Sequence, residues 1–222
     1  MKNKLKSYLV FTSLMYRVLV YFIVPIFMAG IVFVYGGALG GAVPIVISVL
    51  LSAAEIVCDN WLFGGIQAKD AERLDYLKTS ERGNKIMRNA LRMDIVRKLL
   101  TALIVLGICF VVPIWSKGGK GYIALQASGT TEALLSTYAY AVAISWCCSI
   151  FGIFIARYGS MVWTNAMVGY GVAMLETGLW SISGRMKNLW GYSLFYILVG
   201  VAFSVLCVKA AMKRMEDGYC DK

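Results

Sequence analysis

The chain has 222 residues, of which 59% are hydrophobic and only 15% are charged, and its mean hydropathy is +0.70. This composition excludes a soluble globular domain of that length and indicates an integral membrane protein. The formal net charge is +10, but the basic residues lie at the ends of apolar runs, where anionic headgroups are closer partners than nucleic acid. We therefore expect membrane lipid, and no nucleic acid, among its partners.

Apolar runs of about 20 residues predict helices, because a backbone in hydrocarbon must satisfy its own hydrogen bonds. The sequence predicts an all-α fold, one transmembrane domain over residues 1–222, with an amphipathic lead-in at 1–14 on the membrane surface. Pro25 is expected to kink helix 1, and the Gly-rich stretch Gly36–Gly41 to turn the chain into helix 2. Six transmembrane helices are expected at about Met15–Tyr35, Val43–Phe63, Val96–Trp115, Glu132–Ala156, Ser160–Ile182 and Leu189–Val208.

Lys and Arg are distributed unequally between the two ends of these helices. Eighteen of the 22 basic residues fall on the side of the two termini and of the long segment between helices 2 and 3, and four fall on the other side. Basic residues accumulate in cytoplasmic loops. The sequence therefore predicts a multi-pass protein of the plasma membrane with both termini and this long loop in the cytoplasm.

The loop, Gly64–Lys98, is the only long polar segment of the chain. Its acidic and basic residues recur three or four positions apart, which predicts two helices with a break at Thr79–Asn84. Two interpretations remain open: a solvated extension of helices 2 and 3, or a docking elbow for a cytosolic protein. The spaced pairs are Asp70 with Arg73, Asp75 with Lys78, Glu81 with Lys85, and Asp94 with Lys98.

Helix 5 carries two distinct faces at helical spacing. An ionisable residue inside a transmembrane helix, here Glu176, normally faces protein or water and is often functional. The aromatic and methionine face indicates either ordinary packing or an adaptable ligand surface. The first face consists of Trp163, Met167, Tyr170 and Met174, and the second of Asn165, Gly169, Val172 and Glu176.

Two other helices have patterned faces. Glu55 and Asp59 lie one turn apart near the cytoplasmic end of helix 2, where they either face a vestibule or pair with Arg17 and the basic loop. Helix 4 has a face of small residues, which permits close packing within the subunit or at a dimer seam. That face comprises Ala141, Ser145, Ser149, Gly152 and Ala156.

Catalytic and metal-binding patterns are missing from the sequence. The chain has no histidine, no Walker loop and no G-x-G-D pattern, so it offers neither the usual metal ligand and general base nor an ATP site of that kind. We expect no enzymatic activity and no metal site. The six cysteines are Cys58, Cys109, Cys147, Cys148, Cys207 and Cys220. They lack C-x-x-C spacing, and because five of them lie in or at the edges of apolar runs, we interpret them as small buried hydrophobic residues.

The predicted layout has six helices, a short lead-in and one long helical loop, whose sequence is QAKDAERLDYLKTSERGNKIMRNALRMDIVRK. This layout and loop resemble the membrane-spanning (permease) subunit of a small bacterial ATP-binding cassette exporter, of the phenol-soluble modulin exporter type. The resemblance implies peptide export by a dimer, formed with a second copy or a homologue, that is powered by a separate cytosolic ATPase. ATP and magnesium would bind that partner. The implied cargo is an amphipathic peptide.

The resemblance also implies roles for particular residues. A coupling element would lie within about Tyr76–Asn89, with Arg157–Ser160 as a minor second contact to the ATPase. The implied ATPase-coupling residues are Tyr76, Lys78, Thr79, Ser80, Glu81, Arg82, Lys85 and Arg88. The proposed translocation path comprises Glu55, Asp59, Trp163, Asn165, Met167, Tyr170, Met174 and Glu176.

Two other functions remain open on the sequence alone. The chain could be an ion- or proton-coupled carrier in which Glu176 and Glu55 titrate, although the internal symmetry of many such carriers is not visible. It could also be a non-transporting membrane protein, such as an immunity or assembly factor. Nucleotide dependence of transport separates the exporter from the carrier.

Overall fold

The computed structural model describes residues 7–9, 12, 14–39, 42–59, 82–116, 131–158, 164–183 and 188–216. Within these ranges all regular secondary structure is helical, as the composition predicts. Helix α1 comprises Leu14–Val18, a π-helical turn at Leu19–Ile23, and Val24–Leu39. The other helices are α2 (Val43–Asp59), α3 (Gly83–Ser116), α4 (Thr131–Tyr158), α5 (Thr164–Ser183) and α6 (Leu189–Glu216).

The π-helical turn lies directly before Pro25. Its wider hydrogen bond runs from the Val24 N–H to the Leu19 carbonyl. A proline ring clashes with the carbonyl four residues earlier, here that of Tyr21, and a π-turn is one of the local adjustments that relieves such a clash. The first helix therefore continues through the proline without ending.

Three helices extend beyond their predicted limits. α1 continues through Gly36 and Gly37 to Leu39, because each glycine costs only about 1 kcal/mol relative to alanine within a helix. α6 continues to Glu216, because the residues KAAMKRME are strong helix formers. α3 begins at Gly83, inside the predicted break, and its 34 residues make it roughly 50 Å long.

From α2 to α6 the helices alternate in direction, as successive membrane crossings do. α2, α4 and α6 run parallel to one another, and α3 and α5 run against them. α2 contacts α5 through Ser48 with Trp180 and Ile56 with Gly169, and it contacts α4 through Ser48 with Ser145 and Ile56 with Gly152. α3 contacts α4 through Ile95 with Trp146 and Leu103 with Tyr138. α4 contacts α6 through Trp146 with Gly200 and Phe154 with Phe203.

α4 is the central helix, and its face of small residues is buried inside the chain. The Ser145 hydroxyl donates to the Ser48 carbonyl over 3.1 Å. A Cβ atom on Gly152 would lie 2.3 Å from Cδ1 of Ile56, so α4 and α2 approach more closely there than a larger residue would allow. Of the two predicted roles for this face, packing within the subunit is the one observed.

Gly200 of α6 supports an equally close contact. A Cβ atom there would lie 2.6 Å from Cζ3 of the Trp146 ring, whereas none of the described atoms lies within 4 Å of the corresponding position at Gly178. We expect Gly200→Ala to lower the free energy of unfolding by roughly 1–3 kcal/mol through overpacking. The unfolding midpoint in detergent measures this, with Gly178→Ala as the matched control because it makes the same change in helix propensity. Equal midpoints for the two variants would show that α4 and α6 are not packed this closely.

Three described helical segments are long and apolar enough to cross a membrane: Leu14–Tyr35, Glu132–Ala156 and Leu189–Met212. They have mean hydropathies of 2.5, 2.0 and 2.2. The structure thus gives the chain the helices of a membrane protein. The central segment is mostly buried by protein and the other two are mostly exposed, which is the pattern expected when outer helices face lipid.

Candidate functional site

Five charged side chains meet between α2 and α3, and we call them the charge cluster: Glu55, Asp59, Asp94, Arg97 and Lys98. The Arg97 guanidinium binds the Glu55 carboxylate through two hydrogen bonds, from Nη1 at 2.9 Å and from Nη2 at 2.6 Å, and its Nε lies 3.2 Å from Asp94 Oδ1. Lys98 Nζ lies 3.2 Å from Asp59 Oδ1 and also contacts Asp94 Oδ2. Each side chain is at most 7% exposed, so the cluster is buried.

Sequence spacing explains how these residues meet. Glu55 and Asp59 are four residues apart on α2, and Asp94 and Lys98 are four residues apart on α3, so each pair lies on one face of its helix. The predicted pairing of Asp94 with Lys98 is confirmed. A buried carboxylate is tolerated only where it is paired and hydrogen-bonded, which is the environment that Arg97 provides for Glu55.

Aromatic residues of the N-terminal region cover the cluster. The Tyr16 ring lies 5.8 Å from the Arg97 guanidinium carbon, within cation–π range. Tyr8, Tyr16, Val20 and Cys58 form a buried apolar group beside it. Burial raises the pKa of the Tyr8 phenol well above its ordinary value, so this side chain remains neutral. α1 and the described part of the lead-in are thereby packed against the end of α2 and the middle of α3.

Arg17 has partners on its own segment. Its Nε donates to the Thr12 hydroxyl, and its Nη2 donates to the Leu9 and Thr12 carbonyls, all over 2.9 Å. The carboxylates Glu55 and Asp59 are instead paired with Arg97 and Lys98. Arg17 therefore closes the turn between the lead-in and α1.

Glu176 is fully buried, with 0% exposure, where α5 packs on α2. The Ser52 hydroxyl donates to Glu176 Oε2 over 2.5 Å and lies 3.0 Å from the Val49 carbonyl, so two acceptors share its single hydrogen. Ser48 is also near the carboxyl, but its hydroxyl donates to the Ile45 carbonyl. Glu176 Oε1 has no hydrogen-bond partner among the residues that the structure describes.

The structure separates the two faces of α5. Glu176, Val172 and Gly169 face α2 and α4, whereas Met167, Tyr170 and Met174 project away from the bundle and are 61–76% exposed. The proposed translocation residues therefore do not form one surface within a single chain. Asn165 lies in the first turn of α5, and Trp163 lies outside the described residues.

The N-terminal part of α3, which we call the α3 extension, is rich in basic residues. Arg82, Lys85 and Arg88 are exposed on it. Its opposite face packs against the end of α6 in a small apolar cluster of Met87, Ala90, Leu91, Ala211 and Met212. The extension is therefore a supported helix. The other coupling residues, Tyr76, Lys78, Thr79, Ser80 and Glu81, lie outside the described residues.

Arg97 and Lys98 were not singled out from the sequence as site residues. The signal was present, because two adjacent cations, Arg97 and Lys98, stand at the start of an apolar run, three and four residues after Asp94. The spacing does not show which helix Arg97 and Lys98 face. Sequence analysis placed Glu55 and Asp59 in the path, and the structure shows them paired within the charge cluster.

No cluster of three or more potential metal ligands occurs among the described residues. The five cysteines within the described ranges are buried free thiols, as interpreted from the sequence. Comparison with known proteins yields no significant match, whether to a family model, to a curated protein or to a solved structure. The functional assignment therefore rests on the residues and their geometry.

Proposed function

We propose that this chain is the membrane-spanning subunit of an ATP-driven exporter, working as a dimer powered by a separate ATP-binding cassette ATPase that carries ATP and magnesium. Its cargo is an amphipathic peptide. The observation that carries the proposal is the long α3 helix, whose exposed basic end is joined to the bundle by the buried charge cluster. Such a helix can transmit motion from a cytosolic motor to the membrane part.

The proposed topology has six spans, with both termini and the 64–98 loop in the cytoplasm of a plasma-membrane protein. The alternating directions from α2 to α6 support it. They place Asp59, Arg97 and Lys209 at one end of the bundle, the end that also carries the α3 extension. Since basic residues accumulate on the cytoplasmic side, that end is assigned to the cytoplasm.

The coupling step follows from the rigidity of α3. The hydrocarbon core is about 30 Å thick, so a 34-residue helix extends roughly 20 Å beyond it. A partner that pulls on Arg82 and Lys85 moves the same helix that holds Glu55 through Arg97. Displacement of the extension therefore moves α2 through the Arg97–Glu55 pair. Motion of α2 in turn reaches Glu176 through Ser52. A bundle with two alternative packings would exchange them in response.

The exposed face of α5 provides the surface for a second copy and for cargo. Met167, Tyr170 and Met174 present flexible and aromatic apolar groups without a partner helix among the described residues. Methionine and tyrosine adapt to apolar ligands of variable shape. Two such faces, one from each copy, would enclose a path suited to an amphipathic peptide.

Charge reversal of the extension tests the coupling role. The double variant Arg82→Glu/Lys85→Glu is expected to reduce co-purification with the proposed partner ATPase at least ten-fold, because the exposed cations would be its contacts. ATP hydrolysis stimulated by an added amphipathic peptide should fall in parallel. Glu132→Arg, an exposed charge reversal at the opposite end of the bundle, is the control and should retain both activities. Undiminished co-purification of the double variant would refute the docking assignment.

An ion-coupled carrier is the second candidate, and the burial of Glu176 favours it. A carboxyl with one oxygen unpartnered among the described residues can take up a proton or a cation during a transport cycle. This function requires flux without nucleotide. Transport by reconstituted vesicles that continues after ATP removal, and is lost in Glu176→Gln, would select the carrier over the exporter.

A further inference from the structure

A groove lies between α3 and α6, at the cytoplasmic end of the proposed topology. It has a volume of about 610 Å³. Its apolar walls include Ile95, Val201 and Val205, and the buried Trp146 ring also lines it. Three cations, Arg88, Arg92 and Lys209, line it as well, and no carboxylate is among its lining residues.

Among the described residues, none neutralises the charge of the groove. Arg88, Arg92 and Lys209 are exposed, and within the described ranges no carboxylate lies in salt-bridge contact with them. Arg97 is different, since it lines a smaller groove of about 360 Å³ beside α1 but is already bound to Glu55. Of these two grooves, the α3–α6 groove combines available cations with apolar walls.

We propose that this groove binds an anionic phospholipid, with the phosphate held by Arg88, Arg92 and Lys209 and one acyl chain lying along Val201 and Val205. Arginine guanidinium groups bind phosphate oxygens in pairs, and lysine adds a point charge. Basic pockets between helices at the cytoplasmic surface recognise anionic headgroups in this way.

Position in the bundle supports a lipid occupant. Lys209 lies three residues before the end of the apolar segment Leu189–Met212, which is the level of the headgroups. Val201 and Val205 lie two and one turns deeper on α6 and are 50% and 52% exposed, where hydrocarbon would contact them. A cationic peptide cargo would be repelled by the three positive charges.

The double variant in the test changes two residues that lie outside the proposed ATPase contact, Arg92 and Lys209. Wild-type protein and the variant Arg92→Gln/Lys209→Gln are purified in detergent and titrated with phosphatidylglycerol or phosphatidylcholine, and bound lipid is counted by native mass spectrometry. Wild type should bind phosphatidylglycerol at least ten-fold more tightly than phosphatidylcholine. The double variant should lose that preference, whereas Lys85→Gln, an exposed cation outside the groove, should keep it.

A second variant tests the apolar wall without changing charge. Val205→Phe narrows the groove and should weaken binding of both lipids several-fold, and its unfolding midpoint should match that of wild type because the side chain is half exposed. Equal wild-type affinity for the two lipids, or an unchanged preference in the double variant, would overturn the proposal. Neither result depends on the exporter assignment, since no ATPase or flux is measured.

Discussion

Arg97→Met is expected to lower the free energy of unfolding by about 3–5 kcal/mol, because it leaves the buried Glu55 carboxylate without its bidentate partner. Methionine retains most of the side-chain volume, so the loss reports the missing charge and hydrogen bonds. The midpoint of thermal unfolding in detergent measures the effect. Lower yield of folded protein should accompany it.

The double variant Arg97→Met/Glu55→Met separates an ion pair from a packing effect. Replacing both partners of a buried pair by apolar residues is often neutral or stabilising, so the double variant should recover most of the stability that the single variant loses. Lys85→Met, at an exposed position on the same helix, is the control and should change stability by less than about 0.5 kcal/mol. A single variant no less stable than this control would contradict the burial of the cluster.

Glu176→Met is expected to change stability in the direction opposite to Arg97→Met, raising the free energy of unfolding by about 1–3 kcal/mol. The carboxyl is fully buried, and Oε1 has no partner among the described residues, so its removal relieves an unsatisfied polar group. Ser52 keeps an acceptor in the Val49 carbonyl. A residue that lowers stability where it stands is a candidate for function, so we expect transport to fall at least ten-fold.

Both properties of Glu176→Met need measurement in one preparation. The unfolding midpoint is determined in detergent, and the proposed export is measured as flux of a fluorescent cationic amphipathic peptide in vesicles that contain the proposed partner ATPase. Leu175→Met, at the adjacent and partly exposed position, controls for the introduced methionine and should leave both values unchanged. A midpoint below that of wild type would show that the carboxyl stabilises the helix contact, and undiminished flux would remove Glu176 from the transport mechanism.

The helices themselves follow from sequence to within a few residues at most ends, because long apolar runs leave no alternative to helix in a membrane. The greatest differences lie where polar residues continue a helix, at Gly83 and Glu216. Hydropathy marks where a chain leaves hydrocarbon. It does not mark where a helix ends, and strong helix formers such as Lys, Arg, Ala and Met extend it into water.

The site could be predicted only in part. Face assignments on α5 follow from spacing alone, and Gly169, Val172 and Glu176 do share one face. The sequence does not reveal which neighbour each face meets, since this depends on contacts between segments about 40 to 130 residues apart, such as Arg97 with Glu55 and Ser52 with Glu176. The two faces of α5 were therefore assigned to one path, although they point in opposite directions.

The charge cluster also has a consequence for biogenesis. A charged residue placed alone in an apolar helix costs roughly 2.5–3.5 kcal/mol on insertion near its centre, and α2 and α3 carry five such residues where they meet. We therefore expect α2 and α3 to move from the translocon into the membrane together, as a hairpin in which their opposite charges are already paired.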